Sequence, residues 1–491
     1  MIESIIAPAR STPAACPAPS GPAFPLLTDW FALLAAHRPA FRQARTFHRA
    51  NGLAVGWLLT LGRHTITRNL AALGLVEDDW AAFHRLFARP RFDADALSRQ
   101  LLRQTLPESP AEQPYLVAVD ATTLRRHSRT MPGTSWLRAP GTAPFCRGLA
   151  RGQRYVDCCW LPLPSPAGYS RAVPLRWLPA FPPKAVPAVG YPPQKEWEVG
   201  LAQVGWVRTE LTAAGRSAQW VLGLADTTYA SVQVWKGLPA GVELLARCQR
   251  IRALFALPAP PPPGQRGRKR LYGEQARYPA EWLTEAEGWQ TAAFMVRGRL
   301  VRPTYRVEGP YRLKGAADHP VFLLVVKGVD RHGRKVRREP TFWLVSARAT
   351  VDGAWTLPYP APDLLAWAWQ RWEIEVMHRE QKTTFGLGDP QGWTPAATVT
   401  SVQWAGWLYG TLLLTGLQVW GLERPPATAP TTRWWRGGGR WSPAQLWAAL
   451  RAEIWDLGEF RPVWSRTPFG WPEFTDWAAA QTNALLSASQ T

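Results

Sequence analysis

RWEIEVMHREQK, residues 371–382, is the stretch whose reading decides the rest of the chain. An α-helix turns ~100° per residue, so Arg371, Glu375 and Lys382 fall within roughly 40° of one another on one face. Trp367, Ile374 and Met377 flank that line on one side, Trp372 and Val376 on the other. A carboxylate held between apolar flanks is not a freely solvated surface charge. Removing it from water costs several kcal/mol unless a cation satisfies it.

Two earlier carboxylates stand in matching positions. YLVAVD (115–120) and WVLGLAD (220–226) are short apolar runs rich in β-formers, closed by Asp120 and Asp226. Three converging acids make a hard-oxygen site suited to magnesium, which takes a few carboxylates plus water and substrate phosphate. Phosphodiester cleavage and transfer need such a site, because two ions ~3.5–4 Å apart stabilise both the attacking and the leaving oxygen.

Composition narrows the partners. The 491 residues give room for roughly two to four domains and a sizeable core. The 57 basic and 36 acidic side chains leave a charge of +21 and a pI near 10.4. Such an excess predicts a polyanionic partner, nucleic acid or an anionic membrane surface. The charge is spread along the chain, which favours an extended binding surface. Tryptophan is abundant, 29 residues against 4 methionines, enough both to fill cores and to stack on bases. The five cysteines (Cys16, Cys146, Cys158, Cys159, Cys248) form no CxxC pair and no zinc spacing with histidine, which fits a reducing cytoplasm. Glu3 and the early prolines do not read as a signal peptide. Residues 404–422 are the longest apolar stretch, interrupted by Gly406, Gly410, Gly416 and Gln418, and read as a buried helix rather than a membrane span. A soluble protein is expected.

The organisation follows from local pattern. Residues 1–24, rich in Pro, Ala and Ser, read as a disordered tail. Residues 25–110 are helical in pattern, with Asp78 and Asp93 where N-caps are expected. Their Arg and His residues suit a helical DNA-binding domain, and equally a scaffold bundle with a solvated basic face. Residues 111–260 run strand, strand, strand, helix, strand, then helix and strand. The strands are YLVAVD, GQRYVDCCWLPLP from Gly152, SRAVPLRWLPAF from Ser170, WVLGLAD, and VELLARCQRI from Val242. The first helix spans roughly 196–214, with Leu201, Val204, Val207 and Leu211 at helical spacing. That is the order of the ribonuclease-H-like fold, in which acids at strand ends face a helix carrying the last acid.

Residues 261–355 form a linker and a β-rich insertion. The proline run before Gln265 is stiff, and Arg266, Arg268, Lys269 and Arg270 make a basic cluster after it. AAFMVRGRLV, PTYRVEGPYRL, PVFLLVVKGVD and TFWLVS follow as strands, with DRHGRK (330–335) as a hairpin turn. Residues 356–400 return to the core with the glutamate helix, and 401–491 are a helical C-terminal region. The fold expected is α/β: a ribonuclease-H-like core, a mixed sheet with flanking helices, interrupted by the insertion and bracketed by helical regions.

Arg371, Glu375 and Lys382, spaced R-x3-E-x6-K, resemble the Y-x2-R-x3-E-x6-K signature of bacterial insertion-sequence DDE transposases. VAVDATT resembles that family's first-aspartate segment, and LADTTYAS (224–231) its second. The β-rich insertion ahead of the glutamate agrees, and the likeness covers roughly residues 25–400. Position 368, where the signature tyrosine stands, holds Ala368 between Trp367 and Trp369. The resemblance implies that Asp120, Asp226 and Glu375 hold catalytic Mg²⁺, with Mn²⁺ as a substitute. It implies that Arg371 and Lys382 contact DNA phosphates; a surface ion pair of Arg371 with Glu375 at i, i+4 is the plainer reading. Trp343 resembles a tryptophan that stacks on a flipped base in some relatives, and reads equally as a core residue of its strand. The cluster Arg266, Arg268, Lys269 and Arg270 would touch DNA backbone rather than bases, or be a solvated linker.

A member of that family would nick the element end with activated water, and the freed 3′-hydroxyl would attack the opposite strand or the target. Its partners would be double-stranded DNA and a second copy of the chain in a synaptic complex, in the bacterial cytoplasm. A catalytically inactive DNA-binding descendant and a metal-dependent nuclease without strand transfer are the alternatives.

Overall fold

The computed structural model describes residues 24–456 apart from 74, 76–78, 90, 140–147, 260–269, 331–336 and 424–438. The expected tail before residue 24, the Asp78 cap, Arg266, Arg268, Lys269, the turn at 331–335 and the residues after 456 lie outside the described residues.

Five helices come first: α1 (Pro25–Ala36), α2 (Ala44–Leu59), α3 (Ile66–Ala72), α4 (Trp80–Ala88) and α5 (Ala94–Thr105). Their starts are chemical. Asp93 accepts from the backbone N–H groups of Asp95 and Ala96, and Asp79 caps α4 through the N–H of Ala82.

The central sheet is built from β1 (Tyr115–Arg125), β2 (Leu149–Trp160), β3 (Val173–Pro179), β4 (Val221–Ala225) and β5 (Val242–Arg247), with α6 (Glu196–Ala213) before β4 and α7 (Val232–Gly237) before β5. In space these strands lie in the order β3-β2-β1-β4-β5. β1, β2 and β3 pair antiparallel, while β1, β4 and β5 pair parallel. This mixed α/β arrangement is compatible with a ribonuclease-H-like core.

The later strands β6 (Thr304–Leu313), β7 (Ala316–Val326) and β8 (Thr341–Ser346) form an antiparallel run, and β8 pairs with β5. The region read as an insertion therefore extends the central sheet. β5 is buried up to Leu245 and Ala246, and its outer edge carries backbone N–H and C=O groups that need partners. β8 supplies them, pairing Val345 with Leu245 and Trp343 with Arg247.

After the sheet come α8 (Ala361–Gln370), α9 (Trp372–Thr383), α10 (Pro395–Trp420) and α11 (Pro443–Asp456). The RWEIEVMHREQK run is thus not one unbroken helix. Arg371 joins α8 to α9 with helical dihedrals (φ −48°, ψ −31°), and Ile374 donates to its carbonyl three residues back, a tightened first turn.

The apolar stretch at 404–422 lies within or just after α10, which is buried along most of its length. Its glycines are contact surfaces. A Cβ on Gly406 would stand 2.1 Å from the Trp177 ring of β3, and one on Gly410 2.6 Å from the Pro174 carbonyl oxygen. α10 also receives α1 and α5, Trp30 donating to Thr411 Oγ1 at 3.3 Å, so the N-terminal helices share one apolar core with the sheet. No described helix is long and apolar enough to cross a membrane.

Candidate active site

The site begins with strand register. Asp120 on β1 lies opposite Asp157 on β2. On the other side of β1, Val119 pairs with Ala225, the last residue of β4, so Asp226 follows one step beyond, beside Asp120. Asp226 keeps an extended backbone (φ −86°, ψ 179°). Side chains alternate along strands. Asp157, Asp120 and Asp226 therefore occupy one face of three adjacent strands. The opposite face belongs to α6, where Val119, Gly223 and Ala225 share an apolar cleft with Gly200 and Val204.

Helix α9 packs over the acidic face. His378 Nε2 lies 2.8 Å from Asp157 Oδ1. Arg371 is buried and donates from Nη2 to Glu375 Oε1 at 2.7 Å; its Nη1 is buried with no partner among the described residues. Thr227 Oγ1 approaches Asp226 Oδ1 at 3.4 Å.

Charge is concentrated here and poorly hydrated. Burial pushes the Asp120 carboxyl up to about 6; His378, Arg371 and the Ala121 N–H at 2.8 Å oppose that rise, and Asp157 adds to it. The Lys382 ammonium is held below the ordinary lysine range. Desolvation leads, Arg154 and Arg125 contribute, and the attraction of Asp157 and Asp120 opposes them. Arg125 and Arg154 thus join Lys382 as a basic rim beside the aspartates. Arg154 is itself braced by Glu196 at 2.8 Å.

The structure brings Asp120, Arg371 and Lys382 into one electrostatic neighbourhood, and strand register brings Asp226 to it. Glu375 sits on the same helix stripe with its carboxylate engaged by Arg371. Among the described residues no three His, Cys, Asp or Glu side chains stand close enough to hold a metal ion as they are. The donor set still suits a hard divalent cation: carboxylate oxygens, one of them desolvated by burial and raised in pKa.

The other expected contacts lie elsewhere. Trp343 is 6% exposed, wedged in the sheet between Leu324 of β7 and Arg247 of β5, so it offers a base no open ring. Arg270 is exposed, and its companions in the basic cluster are outside the described residues. Ala368 is buried on α8, its neighbour Trp369 meeting Phe294 edge-on with ring centroids 5.5 Å apart.

Two participants were not picked out from sequence, Asp157 and His378. Each carried a signal. His378 is seven residues after Arg371, within ~20° of it on the helix and so in the same stripe as Glu375 and Lys382. Asp157 interrupts the apolar run YVDCCW of β2.

A family model described as DDE superfamily endonuclease matches residues 37–305. Asp120, Asp157 and Asp226 lie inside that span, and α9 lies beyond it. No curated protein matches the chain.

Proposed function

The chain belongs to the DDE superfamily endonucleases, and from that membership we propose that it is the transposase of an insertion sequence. It would cut element ends and join them to target DNA by metal-dependent phosphoryl transfer. The observation that carries this reading is the shared face of Asp120 and Asp226 on adjacent parallel strands, with the Arg371–Glu375–Lys382 stripe of α9 packed over it.

Asp120, Asp226 and Glu375 would hold Mg²⁺, or Mn²⁺ in its place. When bound, the ions supply an activated oxygen nucleophile and neutralise charge on the phosphate. The protein's own groups do the rest. Arg371, planar and buried, is suited to forked hydrogen bonding to a phosphate once Glu375 turns to a metal. Lys382, Arg125 and Arg154 would track the DNA backbone past the carboxylates. Two copies of the chain would hold two element ends in a synaptic complex.

The test is direct. With Mg²⁺ and its element-end DNA, the purified protein should yield nicked and joined products, while Glu375→Gln should bind and not cut. Unchanged cleavage by that variant removes the acid trio from the mechanism.

Ala368 in place of the signature tyrosine favours a second reading, a descendant that binds DNA without turnover. Binding with no metal-dependent cleavage by the unaltered chain would establish it. Cleavage without joined products would indicate a nuclease that does not transfer strands.

A further inference from the structure

We infer that Asp157 and His378 are positioning residues, whose hydrogen bond sets where α9 stands over the acid-bearing strands. This rests on reading Asp120, Asp226 and Glu375 as the reacting cluster.

Asp157 is fully buried in β2. A carboxylate there is costly unless donors meet it. Two do: His378 Nε2 at 2.8 Å and the Cys159 thiol at 3.0 Å. Only the first comes from a helix, and it crosses from the sheet to the element that carries Glu375. Trp177, opposite Asp157 on β3, packs against the imidazole at a tilt, with ring centroids 5.7 Å apart. His378 is therefore held by an acid through Nε2 and by an indole against its ring.

Other polar links of α9 lead away from the central strands. Glu373 accepts from Arg297 and Arg440, and Glu380 accepts from Tyr409 of α10. Arg371 turns inward along the helix to Glu375. Among the described residues, the His378–Asp157 bond is thus what ties the polar stripe of α9 to the strands. It holds that stripe against the sheet, while Glu373, Glu380 and the apolar face fasten the helix elsewhere. Asp157 is the cross-strand partner of Asp120, one strand spacing away, ~4.8 Å. An anchor at that distance sets the approach of Glu375, three residues along the same stripe, to Asp120. Misplacement of reacting groups by ~1 Å costs about 10²-fold in rate.

The experiment compares His378→Phe, His378→Gln and the double variant Asp157→Leu/His378→Phe with the parent. Replacing both members of a buried polar pair by apolar groups of similar size leaves folding largely intact, so the double variant stays testable where the single one unfolds. Three quantities are read: amide exchange across residues 372–383 with α10 as internal reference, Mn²⁺ affinity by water-proton relaxation, and kcat against KM for DNA cleavage.

Positioning predicts roughly tenfold faster exchange confined to α9 in the double variant, weaker Mn²⁺ binding, and a kcat lower by about 10²-fold with KM little changed. His378→Gln, which keeps a donor, should recover most of each. Exchange, Mn²⁺ affinity and kcat within twofold of the parent in the double variant would overturn the inference. If the parent neither binds Mn²⁺ nor cleaves DNA, the proposed reaction fails, and the exchange measurement still decides whether this bond holds α9.

Discussion

Asp120 and Asp226 stand side by side, one register step past the Val119–Ala225 pair that joins two parallel strands. Neither belongs to a sequence-local motif with the other. Their proximity is a product of the parallel crossover through α6, and it supplies two members of the proposed cluster.

Asp120→Asn should separate stability from activity. The folded carboxyl is pushed up to about 6 from an ordinary value of 3.8, with burial the leading cause. An acid raised on folding adds no penalty when protonated in both states, at low pH. The penalty appears as pH rises from near 4 through about 6, where the unfolded chain ionises more readily. The metal-free Asn variant should therefore be more stable than the parent above pH 6, by about 3 kcal/mol, and equal it near pH 3. Thermal melts across pH check this, and an unchanged difference across the range would contradict the assignment.

Divalent-ion binding should strengthen as pH rises through about 6, since the metal competes with the proton on Asp120. Calorimetric titration with Mn²⁺ at pH 5 and pH 7.5 reads the effect. In Asp120→Asn that dependence should largely vanish.

Glu375→Gln should abolish cleavage, a loss of at least ~10²-fold, while barely moving the melting temperature. Its partner is Arg371 at i, i+4, and the Glu375 side chain is about a third exposed. Arg371 is buried, so outright loss of its partner would be costly, but glutamine keeps an oxygen that can accept the same guanidinium hydrogen bond. A large drop in stability would mean that Glu375 is a structural residue.

Gly406→Ala should be destabilising by about 1–3 kcal/mol, because the new methyl group would stand 2.1 Å from the Trp177 ring. Denaturant unfolding measures it. Gly421→Ala, just past the end of α10, meets nothing within 4 Å among the described residues but carries φ +69°, so the loss expected there is one of backbone strain.

Lys382→Ala should weaken DNA binding uniformly across sequences and lower the slope of log affinity against log salt by about 1. Fluorescence anisotropy between 50 mM and 200 mM salt gives both. A change confined to one DNA sequence would point instead to base reading.

The strand and helix order of the core was legible because each strand holds a short β-forming run, and two of those runs close on an acid; β1 itself continues past Asp120 to Arg125. Asp93 was legible as a cap for the same local reason, and the α4 cap is the described Asp79. Partners were not legible. Asp157 and His378 are separated by 221 residues, and no period or spacing joins them. Periodicity likewise announced the strands after residue 290 without saying that β8 would seek the open edge of β5. The engagement of Glu375 by Arg371 was visible as i, i+4 spacing, but whether that carboxylate faces its neighbour or the sheet depends on what occupies the space between helix and strands.

Because β8 is bonded directly to β5, a single ladder of hydrogen bonds runs from the outermost hairpin to the strands that carry the acids. On the proposed function, a duplex or a second subunit bearing on the distant edge would load that same ladder. Twist imposed there would be handed from strand to strand toward Asp120 and Asp226, which would couple grip to the geometry of the proposed site.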